Sequence, residues 1–380
     1  MKKSLIALAF GTLGLGIAEF VMMGILPDVA RDLGISIATA GHLISAYALG
    51  VCIGAPMLIL ARRYQLKYIL MFLVGVMMLG NICAALAPNY WVMLVARFIS
   101  GLPHGAYFGV ASIVAEKLAD KGRGSEAVSI MIAGMTIANL FGVPLGTALS
   151  ASISWRLTFL LVGCWGVIIL YYMWRWVPRV ENLPDTGLRG QFRFLKSPAP
   201  WLILGATLLG NGGTFAWYSY VTPLLTNVAG FPARMITFLM VLAGFGMVVG
   251  NLAGGRLSDR FSPGRVAAFA QGMICVALLF IFFFAHISWL AVGLMCLCTA
   301  GLFAVSSPQQ VLLIRYSKGG EMLGAASVQV AFNLGNAIGA YVGGLAISGG
   351  YCYPALAGVP FAMVGFILFL TFYKKYQAKY

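Results

Sequence analysis

Residues 4–26 read SLIALAFGTLGLGIAEFVMMGIL, an apolar stretch with a single charge, Glu19. A helix needs about 20 such residues to cross a hydrocarbon core about 30 Å thick. The stretch is too long for a strand, and strands of a membrane barrel alternate in segments of about ten residues. Eleven comparable runs lie further along the chain, at roughly 38–61, 66–87, 90–115, 126–152, 156–177, 201–227, 234–257, 264–286, 289–315, 321–348 and 351–373. In lipid each backbone group must be satisfied within its own helix. The expected fold is therefore an all-α membrane protein with twelve transmembrane helices.

The composition agrees. Of 380 residues, 61% are hydrophobic and 9% charged, where a soluble domain carries about 25% charged residues. The formal charge of +15 comes from 25 basic and 10 acidic residues. Its basic residues are dispersed among short connections, which argues against nucleic acid as a partner. With Lys2 and Lys3 placed in the cytoplasm, alternate connections hold 21 of the 25 basic residues, Lys374, Lys375 and Lys379 among them. The opposite side holds Arg31, Arg156 and Arg234, and Arg97 falls within a span. By the positive-inside rule both termini are cytoplasmic. Residues 1–26 are read as a retained first span, since the run exceeds a signal core and lacks an Ala-x-Ala exit. The seven cysteines lie in or beside apolar runs without Cys-x-x-Cys spacing and read as small hydrophobes.

The longest connection, 178–200, carries four prolines and four basic residues, and divides the chain into halves 1–177 and 201–380. A short interfacial helix is expected at Gly187–Lys196. The halves repeat. Gly14 to Pro27 matches Gly210 to Pro223, and Asn139-x-x-Gly142-x-x-x-Gly146 matches Asn336-x-x-Gly339-x-x-x-Gly343. Six spans per half make the repeats parallel, an arrangement that puts a transport site between halves near the midplane.

Nine of the ten acidic residues lie in loops or at span ends. Glu19 is the exception, and an ionisable residue at such depth is a functional candidate. It either carries a proton across the membrane or is a structural carboxylate held between helices. Arg97, seven residues into span four, is expected at the depth of Glu19 and as its partner. His104 lies two turns along the same face, as a relay or as a packed polar group. The second half has Phe215 opposite Glu19 and no buried charge. It offers Asn211, Trp217, Tyr218 and Tyr220, then Gln309 and Gln310, then Gln329, Asn333 and Asn336 at i, i+4, i+7. That last stripe either joins helices or lines a wet cavity. Tyr47, Tyr107 and Asn139 complete the cavity candidates from the first half. In span five, Gly134, Ala138, Gly142 and Gly146 form a small-residue face and Pro144 bends the helix. His42, His104 and His286 do not cluster with acids or cysteines, so neither a metal site nor an enzyme is expected.

At these residues the chain resembles the major facilitator superfamily, in its twelve-span drug:proton antiporter branch. Arg97-Phe-Ile-Ser-Gly101 is similar to the span-four motif whose arginine serves proton coupling. Gly134 to Gly146 is similar to the exporters' span-five motif. Gly255-Arg-Leu-Ser-Asp259-Arg260 resembles the loop motif that latches the cytoplasmic side. Its first-half counterpart keeps Arg62 and Arg63 but has Ala61 where the acid belongs. Segments such as Gly-Ile-Ala-Glu-Phe, Pro-His-Gly-Ala-Tyr-Phe-Gly-Val and Ser-Trp-Arg resemble AraJ-like sugar (arabinose) exporters. The resemblance implies a monomeric proton-coupled exporter of a small organic solute, sugar-type or drug-like, in the bacterial inner membrane. It would work by alternating access with a proton gradient as its energy source and no cofactor, touching only substrate, protons and lipid. A proton-coupled sugar symporter built from the same parts is the alternative.

Overall fold

The computed structural model describes residues 2–181, 183–184 and 186–378; Lys379 lies outside them. The described chain forms sixteen α-helices and no strand. They are α1 (Lys2–Asp32), α2 (Ile37–Met57), α3 (Leu66–Ala85), α4 (Tyr90–Lys117), α5 (Gly124–Ile137), α6 (Val143–Ser152), α7 (Trp155–Trp176) and α8 (Gly187–Gln191). Next come α9 (Pro198–Tyr218), α10 (Val221–Asn227), α11 (Ile236–Arg260), α12 (Pro263–Phe284), α13 (Ser288–Ala304), α14 (Ser306–Tyr316), α15 (Glu321–Ala346) and α16 (Tyr353–Tyr376). Side-chain oxygens of Ser36, Asn89, Ser154 and Ser262 accept backbone N–H groups in the first turns of α2, α4, α7 and α12. The turn expected as one helix at Gly187–Lys196 is split into α8 and a 3₁₀ turn, Arg193–Lys196.

Among the described residues, eleven helices or helix pairs are long and apolar enough to cross a membrane. The run expected at 201–227 is not among them. Here α9 is 21 residues long, but Thr207, Asn211, Thr214 and the adjoining glycines dilute its apolar character. It stops at Ser219, four residues before Pro223, whose ring excludes the Ser219 carbonyl and supplies no N–H. The matching Pro27 lies inside an unbroken α1. The difference lies in the residues on its C-terminal side. Asp28 accepts a hydrogen bond from Ser150 at 2.7 Å, and Asp32 accepts from Arg156 at 2.9 Å and Trp155 at 3.1 Å. These contacts hold the last turns of α1, whereas the polar side chains of α10 bond only within their own turns.

By packing, the described chain divides into two units: Met1–Asp120 with Ile130–Arg193 and Lys318–Val330, and Lys121–Ser129 with Phe194–Ser317 and Ala331–Tyr380. In the first unit α2 crosses α4 at backbone distance. A Cβ on Gly50 would strike the Phe98 carbonyl, and one on Gly54 the Leu102 carbonyl. In the second unit α11 crosses α13 in the same manner, with Gly246, Gly250 and Gly254 against the carbonyls of Cys296, Ala300 and Ala304. Gly50 and Gly54 match Gly246 and Gly250 at the interval of the Gly14/Gly210 repeat. Span five is not one α-helix. A π-turn, Ala138–Gly142, separates α5 from α6, with Val143 N–H reaching back five residues to the Ala138 carbonyl. Gly134, Gly142 and Gly146 face Ala9, Ile17 and Val21 of α1. In the second unit Gly335, Gly339 and Gly343 press against the carbonyls of Leu208, Gly212 and Ala216 of α9.

These crossings admit no side chain. Gly339→Leu is expected to lower the thermal unfolding temperature in detergent, at a cost of about 1–3 kcal/mol from forced separation of α9 and α15. Gly75, with nothing within 4 Å of its would-be Cβ, is the control. There Gly75→Ala should gain roughly 0.5–1 kcal/mol.

Candidate functional site

In the first unit, three helices bring Glu19 (α1), Tyr47 (α2), Arg97 and His104 (α4) into one buried cluster. Glu19 is 8% exposed and Arg97 and His104 are fully buried. Arg97 Nη1 donates to the Ala18 carbonyl at 2.7 Å, and its Nε to the Leu43 carbonyl at 3.4 Å. Its guanidinium lies 4.5 Å from the Tyr47 ring centroid and 5.5 Å from that of Phe159, so aromatic faces supply part of the lost hydration. The Tyr47 hydroxyl lies 2.9 Å from His104 Nδ1 and 3.4 Å from the Leu15 carbonyl. Phe108 stacks on the imidazole at 5.0 Å.

The expected partner of Glu19 changes. His104 Nε2 lies 3.7 Å from Glu19 Oε2, and among the described residues no ion pair within 4.0 Å joins Glu19 to Arg97. The common depth of the two residues has a direct cause, since Arg97 bonds the carbonyl that precedes Glu19. Its charge acts on the carboxylate through space. Glu19 Oε2, His104 Nε2 and Arg97 Nη2 are buried without a hydrogen-bond partner.

Tyr107 stands apart from this cluster. Its hydroxyl donates to the Leu8 carbonyl at 3.0 Å and its ring end covers Gly11, tying α4 to α1 eleven residues from Glu19. That is about 16 Å along the helix. Asn139, in the π-turn, bonds back to the Met135 carbonyl at 3.0 Å.

The second unit gathers uncharged polar groups. Asn211 Nδ2, Trp217 Nε1 and Asn336 Oδ1 are buried without partners. Gln309 Oε1 accepts from Thr207 at 3.0 Å, and the Tyr220 hydroxyl donates to the Ala340 carbonyl at 2.9 Å. The Gln329–Asn333–Asn336 stripe is divided, with Gln329 packing in the first unit and the two asparagines in the second. Asp259 accepts the backbone N–H groups of Ser125 at 2.8 Å and Glu126 at 2.7 Å, capping α5. Gly255 sits against Ser129 and the Ser125 carbonyl, and Arg260 lies over the Phe261 ring at 5.4 Å. Arg62 and Arg63 come directly after the 3₁₀ turn Leu58–Ala61 that ends α2. No cluster of metal-ligating residues occurs among the described residues.

Residues 8–328 match the model of the Major Facilitator Superfamily. The chain belongs to this superfamily. This transporter is 48% identical to the putative transporter AraJ of Escherichia coli K12, over all of the chain and 97% of that protein. It is 36% identical to the E. coli inner membrane transport protein YdhP, over 97% and 95% of the two chains. It is 26% identical to a probable sugar efflux transporter of Helicobacter pylori, over 90% and 87%. Among solved structures, a variant of the E. coli fucose:proton symporter FucP shares the fold with a TM-score of 0.78 at 16% identity, covering 97% and 98%. The protein is thus a multi-pass transporter of the bacterial inner membrane, not an enzyme.

Two parts of the buried cluster carry weak sequence signals. The role of Tyr47 as the hydroxyl facing His104 depends on how α2 crosses α4, and its signal is the Gly50-x-x-x-Gly54 pair that permits the crossing. Phe159, under Arg97, comes from α7 with no spacing rule to announce it. Tyr47→Phe deprives His104 Nδ1 of its partner. It is expected to cost about 1–3 kcal/mol in unfolding experiments in detergent, the range for an orphaned buried polar group.

Proposed function

We propose that the protein is a proton-coupled exporter of a small neutral solute of the sugar class, working by alternating access, with Glu19 as the proton carrier. The observation that carries the reading is the buried Glu19–His104–Tyr47 chain beside a charged Arg97. With Glu19 ionised, neutral His104 presents Nε2–H to the carboxylate and accepts the Tyr47 hydroxyl at Nδ1. A proton arriving at the Tyr47 oxygen lets Tyr47 pass its own to Nδ1 and His104 pass Nε2–H to Glu19. Tyr47 ends reprotonated, His104 neutral and Glu19 neutral, a net gain of one proton. The 3.7 Å gap between His104 and Glu19 is longer than a hydrogen bond and closes by less than about 1 Å for the transfer. Arg97 favours the return of charge to Glu19 once the site opens to the other side.

In this reading α9 with α10 forms a seventh span in a twelve-span monomer with halves 1–177 and 201–380, a cytoplasmic linker 178–200 and both termini cytoplasmic. The orphaned donors Asn211 Nδ2 and Trp217 Nε1 and the Asn336 oxygen hold hydroxyl groups of the solute, and Tyr220, Gln309 and Asn333 are further candidates from the same unit. The sugar class is supported by the similarity to the H. pylori sugar efflux transporter. Arabinose-type solutes are the first to test and drug-like molecules the second. Arg62, Arg63, Gly134, Gly142, Pro144, Gly146, Gly255, Asp259 and Arg260 serve the conformational cycle. Uptake by symport is the second reading, favoured by the FucP fold and run by the same parts.

The direction is tested in vesicles with an imposed pH gradient. Labelled pentose should enter everted vesicles when their interior is acid and should not accumulate in right-side-out vesicles that are acid outside. The reverse pattern would establish symport. Glu19→Gln should abolish gradient-driven accumulation yet retain solute exchange at equal pH, and full accumulation in that variant would remove Glu19 from the coupling step.

A further inference from the structure

At the N-terminal end of α1, a pocket outside the buried cluster is lined by Lys2 and Lys3 of α1 and by Tyr171, Tyr172, Arg175 and Trp176 of α7. Ser4, also on its wall, uses its hydroxyl to bond the Trp176 carbonyl at 2.7 Å, which fixes the two helix ends against each other. Neighbouring basic residues are committed to the protein. Lys67 donates to the Trp174 carbonyl at 2.8 Å and Arg179 to the Tyr68 hydroxyl at 2.9 Å. Lys2, Lys3 and Arg175 differ, since among the described residues no hydrogen bond or ion pair engages their side chains. Three cations therefore converge on a concave site with no anion supplied by the described residues. Tyr172 and Trp176, at 4.0 Å between ring centroids, form an aromatic wall, and aromatic rings of this kind belong at headgroup level.

The pocket adjoins apolar surface. Below it Ile6, Val167, Ile168 and Tyr171 are exposed side chains on helices that cross the membrane. A free inorganic anion would use the cations alone, whereas a diacyl phosphate uses both features, its phosphate among the cations and its chains along the exposed side chains. We infer that this pocket binds the headgroup of an anionic phospholipid of the phosphatidylglycerol class. The inference rests on reading α1 and α7 as membrane spans, and on their shared end facing the anionic leaflet. It does not depend on the solute, on Glu19 or on the direction of transport.

The test uses the full-length protein purified in neutral detergent. Native mass spectrometry should show retention of phosphatidylglycerol in preference to phosphatidylcholine, and the preference should fall as salt rises. The triple variant Lys2→Gln, Lys3→Gln, Arg175→Gln should lose about tenfold or more in phosphatidylglycerol retention. Arg234→Gln, on a separate exposed residue, should retain it. Equal retention of the two lipids, or full retention by the triple variant, would overturn the inference. Displacement of the lipid by millimolar inorganic phosphate would assign the pocket to the free anion instead. Pentose exchange by the triple variant, measured alongside, reports separately on the transport reading.

Discussion

Arg97 is a cation with no exposed surface and no carboxylate within ion-pairing distance among the described residues. Such a group is tolerated in a membrane interior only where neighbouring dipoles and rings replace water. Here the replacement is supplied by the Ala18 and Leu43 carbonyls and by the rings of Tyr47 and Phe159. Four helices, α1, α2, α4 and α7, are thereby constrained by one side chain. The helix carbonyls in question already accept from their own ladders, and their second lone pairs take the guanidinium. A lysine would deliver the charge without the fork that reaches two helices at once. The position of Glu19 beside His104 follows from this constraint, because the residue next to Ala18 is fixed in rotation about α1 when Ala18 is held.

The second constraint is steric. Between helices in lipid there is no hydrophobic driving force, so association depends on close packing. Both units meet this demand in the same way, by glycines at four-residue spacing laid closely against the facing helix. The pairs α2/α4 and α11/α13 repeat each other, as do α1 with α5–α6 and α9 with α15. What differs is the chemistry carried on those frames. The first unit carries ionisable groups and the second carries amides, indoles and hydroxyls. A duplicated frame has been specialised by changing side chains that lie away from the glycine seams.

Much of this was legible in the residues. The length and apolarity of the runs set the helical membrane fold, and the isolation of Glu19 and Arg97 marked the buried cluster. The pairing within the cluster was not legible. Spacing along α4 places His104 and Arg97 on one face, but it cannot say that the imidazole rather than the guanidinium approaches Glu19, since that depends on the crossing of α1 and α4. Pro27 and Pro223 are another instance. They occupy equivalent places in the repeat, yet one lies inside a helix and the other ends one, and the difference resides in Ser150 and Arg156, more than a hundred residues away. Tyr107 shows a third limit. Its neighbour His104 is part of the cluster, but its own hydroxyl reaches the Leu8 carbonyl, about three turns down α1 from Glu19, a contact set by the crossing of α1 and α4 and not by spacing along α4.

The π-turn in span five has a geometric consequence. Residues spaced strictly by four advance about 400° on an α-helix, so a line of them drifts about 40° around the axis at each step. Three steps from Gly134 to Gly146 would carry the last glycine about 120° away from the first. The wider turn at Ala138–Gly142 unwinds part of that drift, and both ends of the line remain against α1, at Ala9 and at Val21. Gly134 and Gly146 thus both meet α1 with less rotation between them than an unbroken α-helix would give. The surplus residue that makes this possible is a phase correction between two segments of one span. Removing one residue from Ala138–Gly142 would leave the composition of the span intact, yet turn every side chain of α6 to face a different part of its surroundings.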